Sequence, residues 1–194
     1  MAPQEAIAVE RMDGSAAARA EDAFRAVYAD VFAEPPYGES SDDVAATFDR
    51  FRAQTRRRTF RAALARSEDG EPVGVAYGWT VPPDTGWWDE LTESVPAEMR
   101  REDGQRTFGL MELAVRGPGR RQGVARRLHE TLLGGLRAER VLLNVHPDSK
   151  AALGAYRAWG YRKIGEARPG HGPHTYDVMV LDLSEFRPDG VSPR

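Results

Sequence analysis

The chain has 194 residues, 41% of them hydrophobic and 29% charged, and a formal net charge of −3. A globular chain of this size buries roughly 70% of its unfolded surface, and its charge balance supplies no general field for a polyanion, so a nucleic-acid partner is not expected. It contains no cysteine, which excludes disulfides, thiolate-bound zinc and a thiol nucleophile.

The opening "MAPQEAIAVERMDG" has no basic region followed by an apolar run, and no apolar run in the chain reaches the roughly 18 residues of a membrane span. The expectation is therefore a cytoplasmic protein without a membrane partner. Residues 1–5 are expected to be disordered, residues 6–185 to form a single domain and residues 186–194 to form a flexible tail.

Residues 6–12 alternate apolar and polar and predict a first strand. One helix is predicted across "DGSAAARAEDAFRAVYADVF", where Phe24, Val27, Tyr28, Val31 and Phe32 make a single apolar stripe. The prolines and glycine of "EPPYGESSDD" end it. Ser41 or Asp42 is then expected to cap a second helix that runs to Gln54, with Val44, Phe48 and Phe51 inward. Arg56–Arg58 reads as a solvated face. Two apolar runs flanking Ser-Glu-Asp-Gly predict a hairpin. Residues 82–106 form a long polar bracket, of a length that is usually functional or mobile.

"TFGLMELAV" (107–115) predicts a strand and "RVLLNV" (140–145) a buried one, with a helix between them in which Leu128, Leu132 and Leu136 recur. "DSKAALGAYRAWG" predicts a short helix stopped at Gly160, followed by closing strands in "YRKIGE" and "TYDVMVLDL". This order implies an α+β fold with a mixed, mostly antiparallel sheet, one parallel pair and flanking helices.

The most informative stretch is "RGPGRRQGVARRL" (116–128), with three glycines and five arginines between a strand and a helix. Free N–H groups at such a helix start, with the helix dipole, favour an anion. The stretch lacks the Gly-Lys-Ser/Thr of a Walker loop, and Gly117, Gly119 and Gly123 are spaced one residue too long for a dinucleotide fingerprint. It has no interleaved aromatics for base stacking. A solvated surface turn is the alternative reading.

Two motifs resolve this by resemblance. Arg120-x-x-Gly123-x-Ala125, five residues after Val115, resembles the Arg/Gln-x-x-Gly-x-Gly/Ala signature of the GCN5-related N-acetyltransferase (GNAT) family. "AYRAWGY" is similar to the family's second motif, a helical tyrosine four residues before Gly-Tyr/Phe. Gly117 stands where the family usually has proline, and Ser149 where it often has asparagine. The resemblance implies a splayed parallel pair and acetyl-CoA as the acetyl donor. It places the cofactor's diphosphate on the main chain of Arg121, Gln122, Gly123, Val124 and Ala125, with Arg120 and Arg126 as charged partners. The pantetheine arm would follow Leu113, Ala114 and Val115, and Ser149 and Ala152 would face the cofactor from the next helix.

Acetyl transfer from a thioester to an amine needs a free amine, a donor to the developing oxyanion and a proton for the leaving thiolate. Without cysteine, direct attack is the simplest route. The resemblance makes Tyr156 the general acid, against the alternative of a core aromatic beside Trp159. Glu112, a carboxyl inside an apolar run, is the candidate base, against the alternative of an acid satisfied by a neighbouring arginine. The acceptor site is expected in segments 33–40 and 82–100, with Tyr37, Trp87 and Trp88 lining it, or with the two tryptophans as buried loop anchors. The expected acceptor is a primary amine of a small molecule; a protein or peptide amine and a non-catalytic acyl-CoA-binding module are the alternatives. "HGPH" (171–174) lacks the further ligands a metal site requires, so no metal is expected. The oligomeric state is left open, a homodimer included.

Overall fold

A computed structural model describes residues 7–184. The expectations for residues 1–5 and 186–194 lie outside them. Seven strands form one sheet in the order β1-β2-β3-β4-β5-β7-β6. They are β1 (Ala8–Asp13), β2 (Arg61–Arg66), β3 (Pro72–Thr80), β4 (Thr107–Val115), β5 (Arg140–Val145), β6 (Arg162–Ala167) and β7 (Tyr176–Asp182). The helices are α1 (Gly14–Arg19), α2 (Glu21–Phe32), α3 (Ser41–Gln54), α4 (Ala97–Arg100), α5 (Val124–Leu133) and α6 (Lys150–Ala158). The expected α+β architecture is present, and β4 and β5 are the parallel pair. Their ladder joins Thr107–Gly109 to Arg140–Leu142 and is short beside the strands that carry it. No helix among the described residues is long and apolar enough to cross a membrane.

Chain contacts divide the protein into two compact units. The first comprises the chain up to Trp79 together with Met111–Leu136. Its sheet carries a layer of aromatic side chains: Phe24, Tyr28 and Phe32 from α2, Phe48 and Phe51 from α3, Phe60, and Tyr77 and Trp79 from β3. Phe51 is fully buried and lies 5.1–5.9 Å from the rings of Phe24, Phe48, Phe60 and Tyr77. Tilted and edge-on pairs of this kind add to the burial energy. Arg52 clamps α3 to α2 through a two-pronged pair with Glu21.

Two boundaries differ from the sequence reading. The predicted first helix is broken at Ala20, whose φ of −98° and ψ of 15° leave the α-region, so α1 and α2 are separate. Gly14 opens α1, because a Cβ there would lie 1.8 Å from the Thr55 carbonyl oxygen. The cap of α3 is Ser40 rather than Ser41 or Asp42. Its hydroxyl accepts from Asp43 N–H at 3.3 Å while Asp43 Oδ2 accepts from Ser40 N–H at 2.9 Å, a reciprocal capping box.

Helix α5 stops at Leu133, so Leu136 lies beyond it. Gly134 and Gly135 follow, and the end is capped from the sheet: Arg61 Nη1 donates to the Leu132 carbonyl at 3.1 Å and Arg11 Nη1 to that of Gly134 at 3.0 Å. Cations suit a helix C-terminus.

The second unit comprises Thr80–Leu110 and the chain from Arg137 onward. The polar bracket 82–106 is fastened here. Trp88 packs with Leu142, Ala167, Val178 and Val180, and Leu91 bridges to Ala167. Glu102 Oε1 accepts from Trp88 Nε1 at 3.0 Å, Thr107 Oγ1 at 2.9 Å and Arg140 Nη2 at 2.9 Å. The Arg140 guanidinium lies 5.1 Å from the Trp88 ring centroid. Three donors converging on one carboxylate oxygen compensate a buried ion pair that would otherwise be costly.

Phe51→Ala removes the shared ring of the aromatic layer. It should lower unfolding stability by about 3–5 kcal/mol, measured by denaturant titration; a loss below 1 kcal/mol would show that the layer collapses around the gap.

Candidate active site

The glycine–arginine stretch begins where β4 ends. Arg116 ties it down: its N–H donates to the Val73 carbonyl at 2.9 Å, its Nη1 to the Pro72 carbonyl at 2.9 Å and its Nε to Asp30 at 2.6 Å. A tight turn at Gly117–Gly119 tucks buried Gly119 against Val115 and Val73. Arg120 then folds back, its Nε donating to the Val115 carbonyl at 3.0 Å and its Nη2 pairing with Glu34 at 2.8 Å. Gln122 Nε2 donates to the Pro118 carbonyl at 2.6 Å.

Arg121 (φ 59°) and Gly123 (φ 72°) both adopt the left-handed region. Gly123 stands as the N-cap of α5 without a side-chain cap. Among the described residues, the N–H groups of Arg121, Gln122, Gly123, Val124 and Ala125 make no backbone hydrogen bond. A Cβ placed on Gly123 would meet nothing within 4 Å. The bend thus presents an open, amide-rich concavity at a helix N-terminus, which fits a phosphate group. Arg121 and Arg126 are exposed beside it, and Arg126 pairs with Glu130 at 2.7 Å. Arg120, expected to be a charged partner of the diphosphate, is here engaged by Glu34, a contact with no local sequence signal.

Upstream on β4, Glu112 shares a sheet face with Ala114, which packs into the aromatic layer. It is partly buried overall, while its carboxyl lies deep enough that burial dominates. That burial, with the nearby charge of Glu39, pushes its pKa up to about 8, and Arg50 opposes the shift. Among the described residues Glu112 makes no ion pair or hydrogen bond, so the arginine-satisfied alternative is not what the structure contains.

The residues around it escaped the sequence reading. Tyr28 and Tyr77 are buried, and both hydroxyls are pushed well above the usual phenol range, first by burial and next by the Glu112 charge. Tyr28 donates to Glu39 Oε1 at 2.9 Å. Tyr37 stands nearby, edge-on to Phe32 at 4.7 Å. Glu39 lies inside the segment expected to face the acceptor, but nothing local marks it out from its acidic neighbours.

In the second unit, Tyr156 on α6 is 8% exposed and packs edge-on to Trp159 at 5.7 Å and Tyr161 at 5.3 Å. Partly buried Ala152 lies one turn before it. Ser149 occupies the N-cap of α6 but gives no side-chain cap bond. Trp88, 5% exposed, is a core anchor rather than a solvent-facing wall. Trp87 packs against the same cluster and donates Nε1 to Asn144 Oδ1 at 3.2 Å. The His174 ring lies 6.0 Å from that of His146. Among the described residues no group of three or more histidine or acidic side chains is placed to hold a metal.

The model of the acetyltransferase (GNAT) family matches residues 23–161. Similar solved structures include the ribosomal-protein-S18-alanine N-acetyltransferase of Escherichia coli, with TM-score 0.59 and 15% identity over 96% of this chain and 99% of that one. The paia N-acetyltransferase of Thermoplasma acidophilum, in complex with coenzyme A, has TM-score 0.62 and 9% identity over 91% and 99%. The aminoglycoside N-acetyltransferase AAC(6')-Iy, in complex with CoA, has TM-score 0.55 and 13% identity over 87% and 95%. Among curated proteins none matches the chain.

The folded protein holds the Glu112 proton up to about pH 8, whereas the unfolded chain releases it near 4.5. The native state therefore binds more protons between those values. The resulting stability is fully present below pH 4.5 and is lost as pH rises through 8. Glu112→Gln, neutral throughout, should gain on the wild type by a few kcal/mol, on the order of 1.4 kcal/mol per pH unit at most, between pH 5 and 9. Denaturant unfolding at both pH values checks this, and a constant difference would refute the assignment.

Proposed function

Because the chain belongs to the acetyltransferase (GNAT) family, we propose that it moves an acetyl group from acetyl-CoA onto a primary amine of a small molecule by direct attack. Acetyl-CoA is the family's acetyl donor, and when bound it supplies an activated thioester. The observation that carries the reading is Glu112: a residue partly buried overall whose carboxyl makes no ion pair or hydrogen bond among the described residues and is raised in basicity chiefly by burial. Carboxyls and aromatic rings are the groups that attract an ammonium, by charge and by cation–π contact.

The main-chain N–H groups of Arg121–Ala125 hold the diphosphate, with Arg121 and Arg126 adding positive charge. Leu113, Ala114 and Val115 offer main-chain groups to the pantetheine amides, and the family resemblance adds Ser149 and Ala152 as cofactor-binding residues. Because Arg120 is already paired with Glu34 at 2.8 Å, its contribution to the phosphates requires an exchange of partners.

Glu112 removes a proton from the acceptor ammonium. An alkylammonium has a pKa of about 10, so a carboxylate of ordinary basicity would face a gap of about 6 units. With Glu112 at about 8 the gap falls to about 2 units, within the reach of general-base catalysis. The Tyr156 hydroxyl provides a proton to the departing sulfur; from an ordinary phenol, pKa about 10, to a thiolate of pKa about 8.5 the transfer is uphill by about 1.5 units, so it requires close positioning.

An amine panel monitored by CoA release should show turnover on small primary amines. Turnover confined to peptides would replace the small-molecule acceptor, and CoA binding without turnover would leave only a binding module. Gly123→Glu places a carboxylate in the amide concavity, and calorimetry should show at least a ~100-fold loss of CoA affinity through charge repulsion and strain; unchanged affinity would overturn the diphosphate site. Tyr156→Phe should lower kcat by about 10²-fold with CoA affinity within twofold of wild type, and an equal rate would remove its role.

A further inference from the structure

Two ion pairs of matching spacing lace the glycine–arginine bend to α2 and the residues just after it. Asp30 and Glu34, four residues apart, reach Arg116 and Arg120, also four apart. The pairs differ in what else holds them. The Arg116 side chain is 27% exposed and also donates from Nη1 to the Pro72 carbonyl at 2.9 Å. The side chains of Arg120 and Glu34 are 43% and 51% exposed, so their contact at 2.8 Å lies open to solvent. An exposed pair of this kind contributes little net stability, and Arg120 can change partners at small cost.

Glu34 sits where a helix disfavours a carboxylate. It stands two residues beyond Phe32, the last residue of α2, and the last turn of that helix carries no basic side chain. A negative charge there faces the negative end of the helix dipole. Arg120, from a distant part of the chain, supplies the missing positive charge. Glu34 also organises the turn that follows. Its carbonyl accepts from Tyr37 N–H at 3.2 Å and from Gly38 N–H at 3.3 Å. The turn leads into Glu39, whose N–H donates to the Phe32 carbonyl at 2.8 Å. The turn is thus fastened to the Glu34 main chain, and the Glu34 side chain is fastened to Arg120.

Arg120 immediately precedes the amides of Arg121–Ala125. A guanidinium already neutralised by a carboxylate at 2.8 Å offers less of its charge to a second anion beside it. We propose that Arg120 is shared between two competing anions, the Glu34 carboxylate and the diphosphate of acetyl-CoA, so that cofactor binding and the fastening of the Glu34–Glu39 turn oppose each other. Glu34 is a positioning residue, acting on the cofactor through Arg120. Linkage makes the opposition reciprocal: the factor by which the pair weakens cofactor binding is the factor by which cofactor binding weakens the pair. The inference rests on the reading that the Arg121–Ala125 amides hold the diphosphate.

The test is calorimetry with CoA at low ionic strength on wild type, Glu34→Gln, Glu34→Asp, Arg120→Gln and the double variant that joins Glu34→Gln to Arg120→Gln. Hydrogen exchange of the Tyr37 and Gly38 amides is followed in parallel, with and without CoA. Glu34→Gln should tighten CoA binding about three- to fivefold, the fold-change to which an exposed ion pair corresponds, and the gain should shrink as salt is raised. Glu34→Asp, which keeps the charge, should lie nearer to wild type than Glu34→Gln does. Arg120→Gln should weaken CoA binding, and in its background Glu34→Gln should change the affinity by less than about twofold. CoA should speed exchange of the two amides in wild type and leave them unchanged in Glu34→Gln. Equal or weaker CoA binding by folded Glu34→Gln overturns the proposal. A gain that persists undiminished in the Arg120→Gln background also overturns it, since Glu34 would then act by its charge alone, and so does exchange in wild type that CoA fails to speed. Gly123→Glu separates the two readings. If it loses CoA affinity while Glu34→Gln changes nothing, the diphosphate site stands and the competition fails; if it binds CoA as wild type does, the site fails and the proposal with it.

Discussion

The proposed function depends on a run of peptide N–H groups that make no backbone hydrogen bond of good geometry among the described residues. A chain leaving a strand for a helix would ordinarily tie such donors into a tight turn or cap them with a side chain. Here the cap position is Gly123, which has no side chain to offer, and the left-handed residues Arg121 and Gly123 turn successive amides outward. The side chains that fasten the bend are Arg116, tied to β3, Arg120, tied to the end of β4, and Gln122, which reaches back across the turn. The bend is fixed at its borders and open at its centre, and an anion-binding site requires both.

The aromatic layer has a second consequence besides stability. Rings from α2, α3 and β3 pack with Ala114 on the face of β4 that, by strand alternation, also carries Glu112. A carboxyl in that setting is pushed up chiefly by desolvation. Replacing the rings with smaller or polar groups would wet the site and return Glu112 to ordinary acidity without touching it. Core packing and base strength are in this sense one property of the first unit.

Much of this was legible in the sequence because it is local. Strand β4 occupies 107–115 and β5 140–145 as the apolar runs indicate, the Asp-Gly turn closes the β2–β3 hairpin, and Val44, Phe48 and Phe51 face inward from α3. Departures occur where a tertiary contact decides. Alanine favours helix at residue 20, yet the chain breaks there; and the tryptophan pair is ambiguous until Glu102 and Arg140, distant in sequence, are seen to claim Trp88. Of the candidate site, Glu112 is legible as a carboxyl in an apolar strand. Glu39 is not: it is one acid in a polar loop, and its significance comes from a hydrogen bond to Tyr28 on the preceding helix.

Stability and reactivity are opposed at one residue. Any feature that would satisfy Glu112, such as a direct arginine pair or a donated hydrogen bond, would stabilise its anion and lower its pKa. It would thereby widen the gap to the ammonium that Glu112 is proposed to deprotonate. The structure keeps Arg50 near enough to moderate the charge and leaves it without a direct bond to Glu112. The Tyr28 hydroxyl goes to Glu39. A base must be held within a fraction of an ångström of its proton. Glu112 is carried by a strand of the sheet and not by a loop, as its proposed role as base requires.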